Sequence, residues 1–307
     1  MSSSPNIHSA LFNYIEAEML PATYLQTVEQ WYIPLAQDIL DKVSAHQDAS
    51  KNDASSKSTF ILGIHGCQGS GKSTLAALLV LLFQEMQGVR SINLSMDDFY
   101  LTHSKREVLA ADVHPLLITR GVPGTHDVGL ALETIKALGQ SGEVAIPRFN
   151  KAVDDREVKS NWPLVKAPVD VIIIEGWCLG VGPQQQAALV EAINTLESEE
   201  DQGEWRAYVN KKLSDEYQSL FELIDMLIML KAPDFSNILE WRLKQENKLK
   251  QKNRHSTNDK LMNKDELIRF ISHYERLTRH ALRTVPAIAD VVYQLNDRQG
   301  IQAKLKG

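Results

Sequence analysis

The chain is poor in the features that mark secreted, membrane-spanning and nucleic-acid-binding proteins. Its 307 residues include only two cysteines, too few for a disulfide framework. The longest apolar runs, such as 75–83 and 171–174, are far shorter than a membrane span, and residues 1–30 show no signal-peptide pattern. The net charge of −6 opposes binding to nucleic acid. We therefore expect a cytoplasmic protein with neither a membrane nor a nucleic-acid partner.

The composition is that of a globular protein, with 43% hydrophobic and 23% charged residues. We expect an N-terminal helical extension and linker over residues 1–58. Apolar residues recur at helical spacing over 7–41, where Pro21 and Pro34 are expected to divide the helices. Residues 44–58 are polar and rich in Ser, Lys, Asp and Asn, which predicts a surface linker.

Residues 59–307 alternate short apolar runs with amphipathic segments. The apolar runs predict buried strands at 59–65, 91–95, 169–174, 226–230 and 289–295. The amphipathic segments predict helices at 75–85, 128–138, 184–196, 235–249 and 264–282. This alternation predicts an α/β fold, with a mostly parallel sheet covered by helices on both faces.

A phosphate-binding loop follows the first predicted strand and opens the first helix of this region. The pattern G-x-x-x-x-G-K-[ST] is satisfied by Gly66-Cys67-Gln68-Gly69-Ser70-Gly71-Lys72-Ser73. Glycines allow the backbone to close around phosphate oxygens, so that amide hydrogens point inward. We expect Lys72 to neutralise the β- and γ-phosphates of ATP and Ser73 to ligate Mg²⁺, with Thr74 completing the nucleotide site.

Two acids near the third predicted strand are candidates for the magnesium side of the site. Glu175 leaves the carboxyl end of that strand, where ligands gather in parallel sheets. Asp170 is a strand-entry residue, and five residues at about 3.3 Å each place it about 16 Å from Glu175. We therefore predict that Glu175 joins Ser73 at the metal.

A pair of acids, Asp97 and Asp98, follows the strand at 91–95 and opens at the same edge of the sheet. A carboxylate there can accept the proton of an incoming hydroxyl that lies in line with the γ-phosphate. Paired acids also commonly cap loops and helices. The nearby phosphate-binding loop favours catalysis by one of the pair. We predict Asp97, although the pattern alone does not separate it from Asp98.

Together these segments resemble the phosphoribulokinase, uridine kinase and pantothenate kinase superfamily. Further stretches resemble D-glycerate 3-kinase: RGVPGTHD at 120–127, IPRFNK at 146–151, EGWCLG at 175–180, VNKKL at 209–213 and WRLKQE at 241–246. They occur in order within about residues 59–295. The resemblance implies a three-layer P-loop kinase domain over 59–307 that uses ATP and Mg²⁺. It also implies Asp97 as the catalytic base and D-glycerate, a small hydroxy acid, as the acceptor.

The resemblance further implies a basic lid around residues 242–262. Cations that arrive only on closure stabilise the transferring phosphoryl group, a role for which Arg242 is a candidate, with Arg254 at the nucleotide. A solvated basic helix face is the alternative. The substrate side chains implied are Asp98, Tyr100, Arg120, His126, Asp127, Arg148 and Lys151, since arginine suits a carboxylate. For His126, a structural hydrogen bond inside its own turn is an equal alternative.

Two departures from the family pattern leave the acceptor open. Relatives usually read Tyr-Asp-Lys-Ser where this chain has Phe-Asn-Lys-Ala at 149–152, and Gly-Met-Ser-Asp where it has Leu-Met-Asn-Lys-Asp at 261–265. Another small hydroxylated metabolite, such as a nucleoside, a pantothenate-like acid or a sugar phosphate, is therefore an alternative acceptor. A non-catalytic nucleotide-binding regulator is a third reading. The retention of Asp97 and Glu175 and the lack of an Asn-Lys-x-Asp guanine signature oppose it.

Overall fold

The computed structural model describes residues 5–52, 59–252 and 263–307. The strands in these residues are β1 (Phe60–Gly66), β2 (Ser91–Ser95), β3 (Gly142–Ala145), β4 (Phe149–Asn150), β5 (Asp155–Arg156), β6 (Leu164–Ala167), β7 (Val171–Gly176), β8 (Met226–Lys231), β9 (Val291–Leu295) and β10 (Ile301–Lys306). The central sheet has the order β10-β9-β8-β1-β7-β2. Its strands are parallel except for β10, which is antiparallel to β9. Two short antiparallel pairs, β3 with β6 and β4 with β5, lie outside it.

Helices cover both faces of the sheet. In the described ranges they are α1 (Pro5–Ala17), α2 (Tyr24–Thr27), α3 (Ile33–Asn52), α4 (Lys72–Gln87), α5 (His103–Asp112), α6 (Val128–Leu138), α7 (Thr195–Glu200), α8 (Glu204–Ser214), α9 (Glu216–Phe221), α10 (Phe235–Lys252) and α11 (Lys264–Ile288). A π-helical turn at Val28–Tyr32 joins α2 to α3, and a 3₁₀ turn at Met96–Phe99 follows β2.

The central strands are apolar on both faces because each face packs against a layer of helices. In β1, Leu62 and Ile64 belong to one apolar cluster, whereas Ile61 belongs to the cluster on the opposite face. In β7, Ile172 and Ile174 lie on the side of Ile61. Parallel strands buried in this way read as continuous apolar runs. The predicted three-layer α/β fold is confirmed.

The N-terminal helices are built into the core. Leu11 of α1 and Leu35 of α3 are fully buried in the same cluster as Leu78 of α4. The Tyr14 hydroxyl donates a hydrogen bond to the carbonyl of Thr74, in the first turn of α4, at 2.7 Å. The extension therefore packs directly on the helix that follows the phosphate-binding loop.

The predicted linker at 44–58 starts too early, because α3 continues to Asn52. Residues 44–52 are polar and therefore gave no helical signal. They continue a helix whose earlier turns, up to the buried Val43, pack in the core. His46 adds an edge-on contact with Phe60, at 5.5 Å between ring centroids. Pro34 is the second residue of α3, directly after the π-helical turn, and the helix is not broken there.

The predicted helix at 184–196 is wrong. The structure has a 3₁₀ turn at Gln186–Leu189 and begins α7 only at Thr195. Two buried arginines take the carbonyls that a helix would use. Arg206 donates to the carbonyls of 189 and 190, and Arg276 to those of 188 and 191. These tertiary hydrogen bonds replace the helical ones.

His65 makes the fold sensitive to acid. It is buried in β1 with Nδ1 2.8 Å from the Leu179 carbonyl oxygen, and burial lowers its pKa from 6.5 to about 4. The unfolded chain therefore binds the proton first, and stability falls as the pH drops from about 6.5 to about 4. We expect this histidine to cost about 2 kcal/mol of unfolding free energy at pH 5 relative to neutral pH. Urea unfolding at both pH values should show a smaller acid-induced loss for His65→Gln than for the parent. Equal losses would contradict this assignment.

Candidate active site

The carboxyl ends of β1, β7 and β2 meet at one edge of the sheet. The parallel register places Ile64 of β1 and Ser95 of β2 on either side of Glu175 in β7. The phosphate-binding loop leaves β1 at this edge, and the Asp97–Asp98 pair follows β2 two residues beyond Ser95. Three separate segments of sequence therefore converge here, as the strand-end argument predicts.

The loop has the backbone shape of a phosphate cradle. Gly71 precedes α4 with φ of 89°, a conformation that L side chains rarely adopt. A Cβ added at Gly66 would overlap Ser70 Oγ, so glycine is needed for the close turn. Among the residues that the structure describes, no side chain caps the start of α4, which leaves its first amides available to an anion. In the described part of the chain, Gln68 Oε1 and Ser70 Oγ are also buried without hydrogen-bond partners.

Lys72, Ser73 and Glu175 form the inner wall of the site. Ser73 Oγ donates a hydrogen bond to Glu175 Oε1 at 2.8 Å, and Lys72 Nζ lies 3.8 Å from Glu175 Oε2. Glu175 is 2% exposed, and its Oε2 has no hydrogen-bond partner among the residues that the structure describes. Mg²⁺ is usually held by one or two carboxylates, water and substrate phosphates. The buried oxygen of Glu175 beside the Ser73 hydroxyl fits this ion.

Asp170 lies at the opposite edge of the sheet. Its carboxylate accepts a hydrogen bond from the Arg90 amide at 2.9 Å, and its carbonyl accepts one from the Phe60 amide. It is therefore placed at the beginning of β7, as the strand-length argument predicts.

Asp97 has both carboxylate oxygens occupied. Oδ1 accepts a hydrogen bond from the Tyr100 hydroxyl at 2.8 Å, and Oδ2 lies 2.5 Å from Lys151 Nζ. Burial alone would raise the pKa of Asp97. The charges of Lys151 and Lys72, with the two hydrogen bonds, outweigh burial and hold that pKa well below its usual range. Asp97 is consequently ionised at neutral pH.

Asp98 has a different environment. Its Oδ1 accepts from the Phe149 amide at 3.0 Å, and its Oδ2 accepts from Arg148 at 2.9 Å. Burial raises the pKa of Asp98, and the neighbouring charge of Asp97 adds to this rise. The contacts with Phe149 and Arg148 oppose it but do not cancel it. The side chain thus ties the loop after β2 to the β4–β5 hairpin.

The predicted substrate residues surround the β4–β5 hairpin. Lys151 extends from its tip to Asp97. Arg120 pairs with Asp154 of the hairpin loop, and its guanidinium lies over the Phe149 ring, 5.5 Å from the centroid. Arg148 and Lys151 are partly exposed, with 39% and 58% of their side chains accessible. Lys151 thus contacts Asp97, Arg148 contacts Asp98, and Arg120 contacts the hairpin itself.

His126 and Asp127 are engaged in structural contacts. His126 is buried, shares a 2.6 Å hydrogen bond through Nδ1 with the Tyr217 hydroxyl, and stacks on Tyr100 at 4.6 Å between ring centroids. Burial lowers the pKa of His126 to about 4, so the ring is neutral at pH 7. The Asp127 carboxylate caps α6 by accepting from the Leu130 amide, and it pairs with Arg156 at 3.2 Å. These contacts hold Tyr100 and the loop before α6 in position.

Two buried residues beside the site, Arg106 and Trp241, were not among the predicted site residues. Arg106 of α5 is fully buried, donates to the carbonyls of Ile118 and Asp154 at 2.6 Å each, and pairs with the Asp154 carboxylate at 3.0 Å. Trp241 is also fully buried, and a Cβ at Gly69 would lie 2.9 Å from its Cβ. The sequence signal for Trp241 was its place in the WRLKQE stretch. No local pattern marks Arg106.

The lid prediction falls only partly on described residues. Arg242 follows Trp241 on α10, and its charge partly counteracts the rise in the pKa of Tyr274 that burial causes. Arg254 lies outside the described residues.

Comparison with known proteins agrees with this geometry. The model of the phosphoribulokinase/uridine kinase family matches residues 61–189. The uncharacterized kinase mug58 of Schizosaccharomyces pombe is 37% identical over 225 residues, which cover 70% of this chain and 78% of that protein. The chain belongs to the phosphoribulokinase/uridine kinase family. It is thus a P-loop kinase, a phosphotransferase, and the family resemblance drawn from its motifs is confirmed.

Two further relatives of this kinase carry a more specific name. The chloroplastic D-glycerate 3-kinase of Arabidopsis thaliana is 32% identical over 256 residues, covering 80% of this chain and about half, 53%, of that protein. The structure of a D-glycerate 3-kinase from Cryptococcus neoformans superposes with a TM-score of 0.72 at 24% identity, covering 88% of this chain and 98% of that one. The latter likeness shows the fold. In the described residues of the kinase, no helix is long and apolar enough to cross a membrane.

Proposed function

We propose that this kinase transfers the γ-phosphoryl group of ATP to the primary hydroxyl of D-glycerate. The observation that carries the proposal is the convergence of Lys72, Glu175 and Asp97 at one sheet edge, with the cation Lys151 on the acceptor side of Asp97. Lys72 suits a nucleotide's terminal phosphates and Glu175 the Mg²⁺ that accompanies them, whereas Asp97 and Lys151 suit an anionic alcohol. The 32% identity to a plant D-glycerate 3-kinase supports the same acceptor.

The loop and Lys72 would hold the ATP phosphates. Amides of the Gly66–Ser73 turn and of the first turn of α4 donate to phosphate oxygens, and the Lys72 ammonium neutralises charge near the β- and γ-phosphates. Mg²⁺ held by Ser73 and Glu175 would supply further charge neutralisation on those oxygens. Lys72 and the buried Glu175 attract each other at 3.8 Å, which keeps the ammonium at the mouth of the loop.

Asp97 would orient the acceptor hydroxyl and take its proton. Phosphoryl transfer proceeds through a loose transition state, in which proton removal comes late and positioning contributes most. Asp97, which is ionised throughout the neutral range, can therefore act on the hydroxyl although its pKa lies below that of an ordinary general base. The Tyr100 hydroxyl, itself buried, fixes the orientation of this carboxylate.

A second candidate keeps the chemistry and changes the acceptor. It is favoured by Asn150, which stands where relatives usually have aspartate. Its Oδ1 accepts from the Ala152 amide at 3.0 Å and its Nδ2 donates to Glu157 at 2.8 Å. The amide is thus used inside the hairpin, and the charge that relatives carry at this position is absent from the acceptor side.

A coupled assay of ADP formation separates these candidates. The acceptor panel comprises D-glycerate, L-glycerate, pantothenate, uridine and a pentose phosphate, each with MgATP. We expect D-glycerate to give the largest kcat/KM. If D-glycerate leaves the basal rate of ATP hydrolysis unchanged while another acceptor raises it, the D-glycerate assignment is wrong. If no acceptor raises it, the regulator hypothesis gains instead.

A further inference from the structure

In this structure each carboxylate oxygen of Asp97 already accepts one hydrogen bond from a described residue. Tyr100 occupies Oδ1, and Lys151 occupies Oδ2. The two partners differ in freedom to move. Tyr100 is 3% exposed and stacks on His126, whereas the Lys151 side chain is 58% exposed. Oδ2 is therefore the oxygen whose partner can move away, and that partner is the ammonium of Lys151.

The hairpin that carries Lys151 is fixed at its base. The Phe149 amide donates to Asp98, and the Arg156 guanidinium donates to the Tyr100 carbonyl at 2.7 Å. The Asp155 carboxylate accepts from the His103 amide at 2.9 Å. Movement of the Lys151 ammonium therefore takes place through its flexible four-carbon stem, while the backbone of the hairpin stays in place.

The neighbouring arginines are less able to exchange partners. Arg120 pairs with Asp154, which also binds the buried Arg106. The backbone carbonyl of Arg120 accepts a hydrogen bond from the Tyr274 hydroxyl. Arg148 donates both to Asp98 and to the carbonyl of Pro147. Lys151 has a single compact charge and an exposed stem, so a substrate anion can replace Asp97 as its partner.

We propose that Lys151 is a specificity-determining residue that exchanges Asp97 for the carboxylate of the acceptor. This inference rests on the proposed function. When the acceptor binds, its carboxylate pairs with the Lys151 ammonium, and Asp97 Oδ2 becomes free to accept the neighbouring hydroxyl. Efficient transfer then requires an acceptor with an anionic group close to the reacting hydroxyl. In its absence, Lys151 covers the oxygen that would otherwise activate water.

The step balances without any further reactant. The acceptor oxygen forms a bond to the γ-phosphorus as the bond between that phosphorus and the bridging oxygen of ADP breaks. The hydroxyl proton passes to Asp97 Oδ2. ADP leaves with the electron pair of the broken bond, and the proton is returned to solvent before the next turnover.

The test compares Lys151→Met and Lys151→Arg with the parent and with a matched control, Lys159→Met. Lys159 is exposed on the 3₁₀ turn at Lys159–Asn161, outside the site. Each protein is assayed for ADP formation with D-glycerate, with glycerol, which has the hydroxyls but no carboxylate, and without acceptor. Thermal unfolding verifies that the variants are folded.

We expect Lys151→Met to lower the preference for D-glycerate over glycerol, as a ratio of kcat/KM, by about 10- to 100-fold, the range of one charge-assisted hydrogen bond. ATP hydrolysis without acceptor should rise in the same variant. Lys151→Arg should recover most of the preference, and Lys159→Met should match the parent. If Lys151→Met retains the parental preference and basal hydrolysis, this inference is overturned while the proposed function stands. A parent that D-glycerate does not stimulate overturns both.

Discussion

Replacing Lys72 with alanine is expected to lower kcat/KM for ATP about 1,000-fold. The ammonium neutralises charge that builds on the transferring phosphoryl group. Removal of one preorganised neutral donor typically lowers the rate about 10²- to 10³-fold, and we expect the loss of a full cation to lie at the upper end of this range. The substitution also leaves the buried Glu175 without the cation 3.8 Å away. Steady-state kinetics with saturating acceptor measures the effect.

The control for this experiment is Lys136→Ala. Lys136 is exposed near the end of α6, outside the site. This variant loses the same side chain and charge as Lys72→Ala. Because surface substitutions have small effects, its kcat/KM should remain within about twofold of the parent. Calorimetric titration with MgATP should show weaker binding for Lys72→Ala alone. Parental rates in Lys72→Ala would remove the basis for assigning this loop to the nucleotide.

Replacing Asp97 with asparagine is expected to lower kcat about 1,000-fold and to leave the KM for ATP nearly unchanged. The amide keeps the shape of the side chain but can neither accept the hydroxyl proton nor balance the charge of Lys151. Loss of a positioned base typically costs about 10²- to 10⁴-fold. A kcat measurement with both substrates saturating isolates this step from binding.

Asp98→Asn is the matched variant, because it changes the adjacent residue of the same turn in the same way. Asp98 binds Arg148 and the Phe149 amide, so its loss should loosen the hairpin and raise the KM for the acceptor. We expect its kcat to fall by about tenfold or less, a value that one weakened hydrogen bond explains. If Asp98→Asn abolishes turnover and Asp97→Asn does not, the two roles are reversed.

Five of the six strands of the central sheet, all except β10, were predictable because their signals are local. Strands buried on both faces are continuous apolar runs, and the glycine-rich loop has a fixed pattern between a strand and a helix. Because ligands gather at the carboxyl ends of parallel strands, the sequence alone placed Lys72, Glu175 and Asp97 at the same edge of the sheet. In the structure Lys72 lies 3.8 Å from Glu175, and the register places Ser95, two residues before Asp97, beside Glu175.

The parts that escaped prediction depend on contacts between distant residues. The β4–β5 hairpin has strands of two residues each, too short for a periodic signal. The segment at 184–194 is shaped by Arg206 and Arg276, which no nearby pattern announces. Which of Asp97 and Asp98 faces Lys151 depends on side-chain direction within a 3₁₀ turn, and spacing along the chain does not determine it.

The most direct test of the account is a proton-coupled ³¹P NMR spectrum of the parent enzyme's reaction with MgATP and D-glycerate. We predict that the γ-phosphate signal of ATP disappears as that of a phosphate monoester appears. Coupling to the two protons of a methylene group should split the new signal into a triplet, which identifies the primary hydroxyl as the acceptor. A spectrum in which ATP yields only the singlet of inorganic phosphate, or persists unchanged, would contradict it.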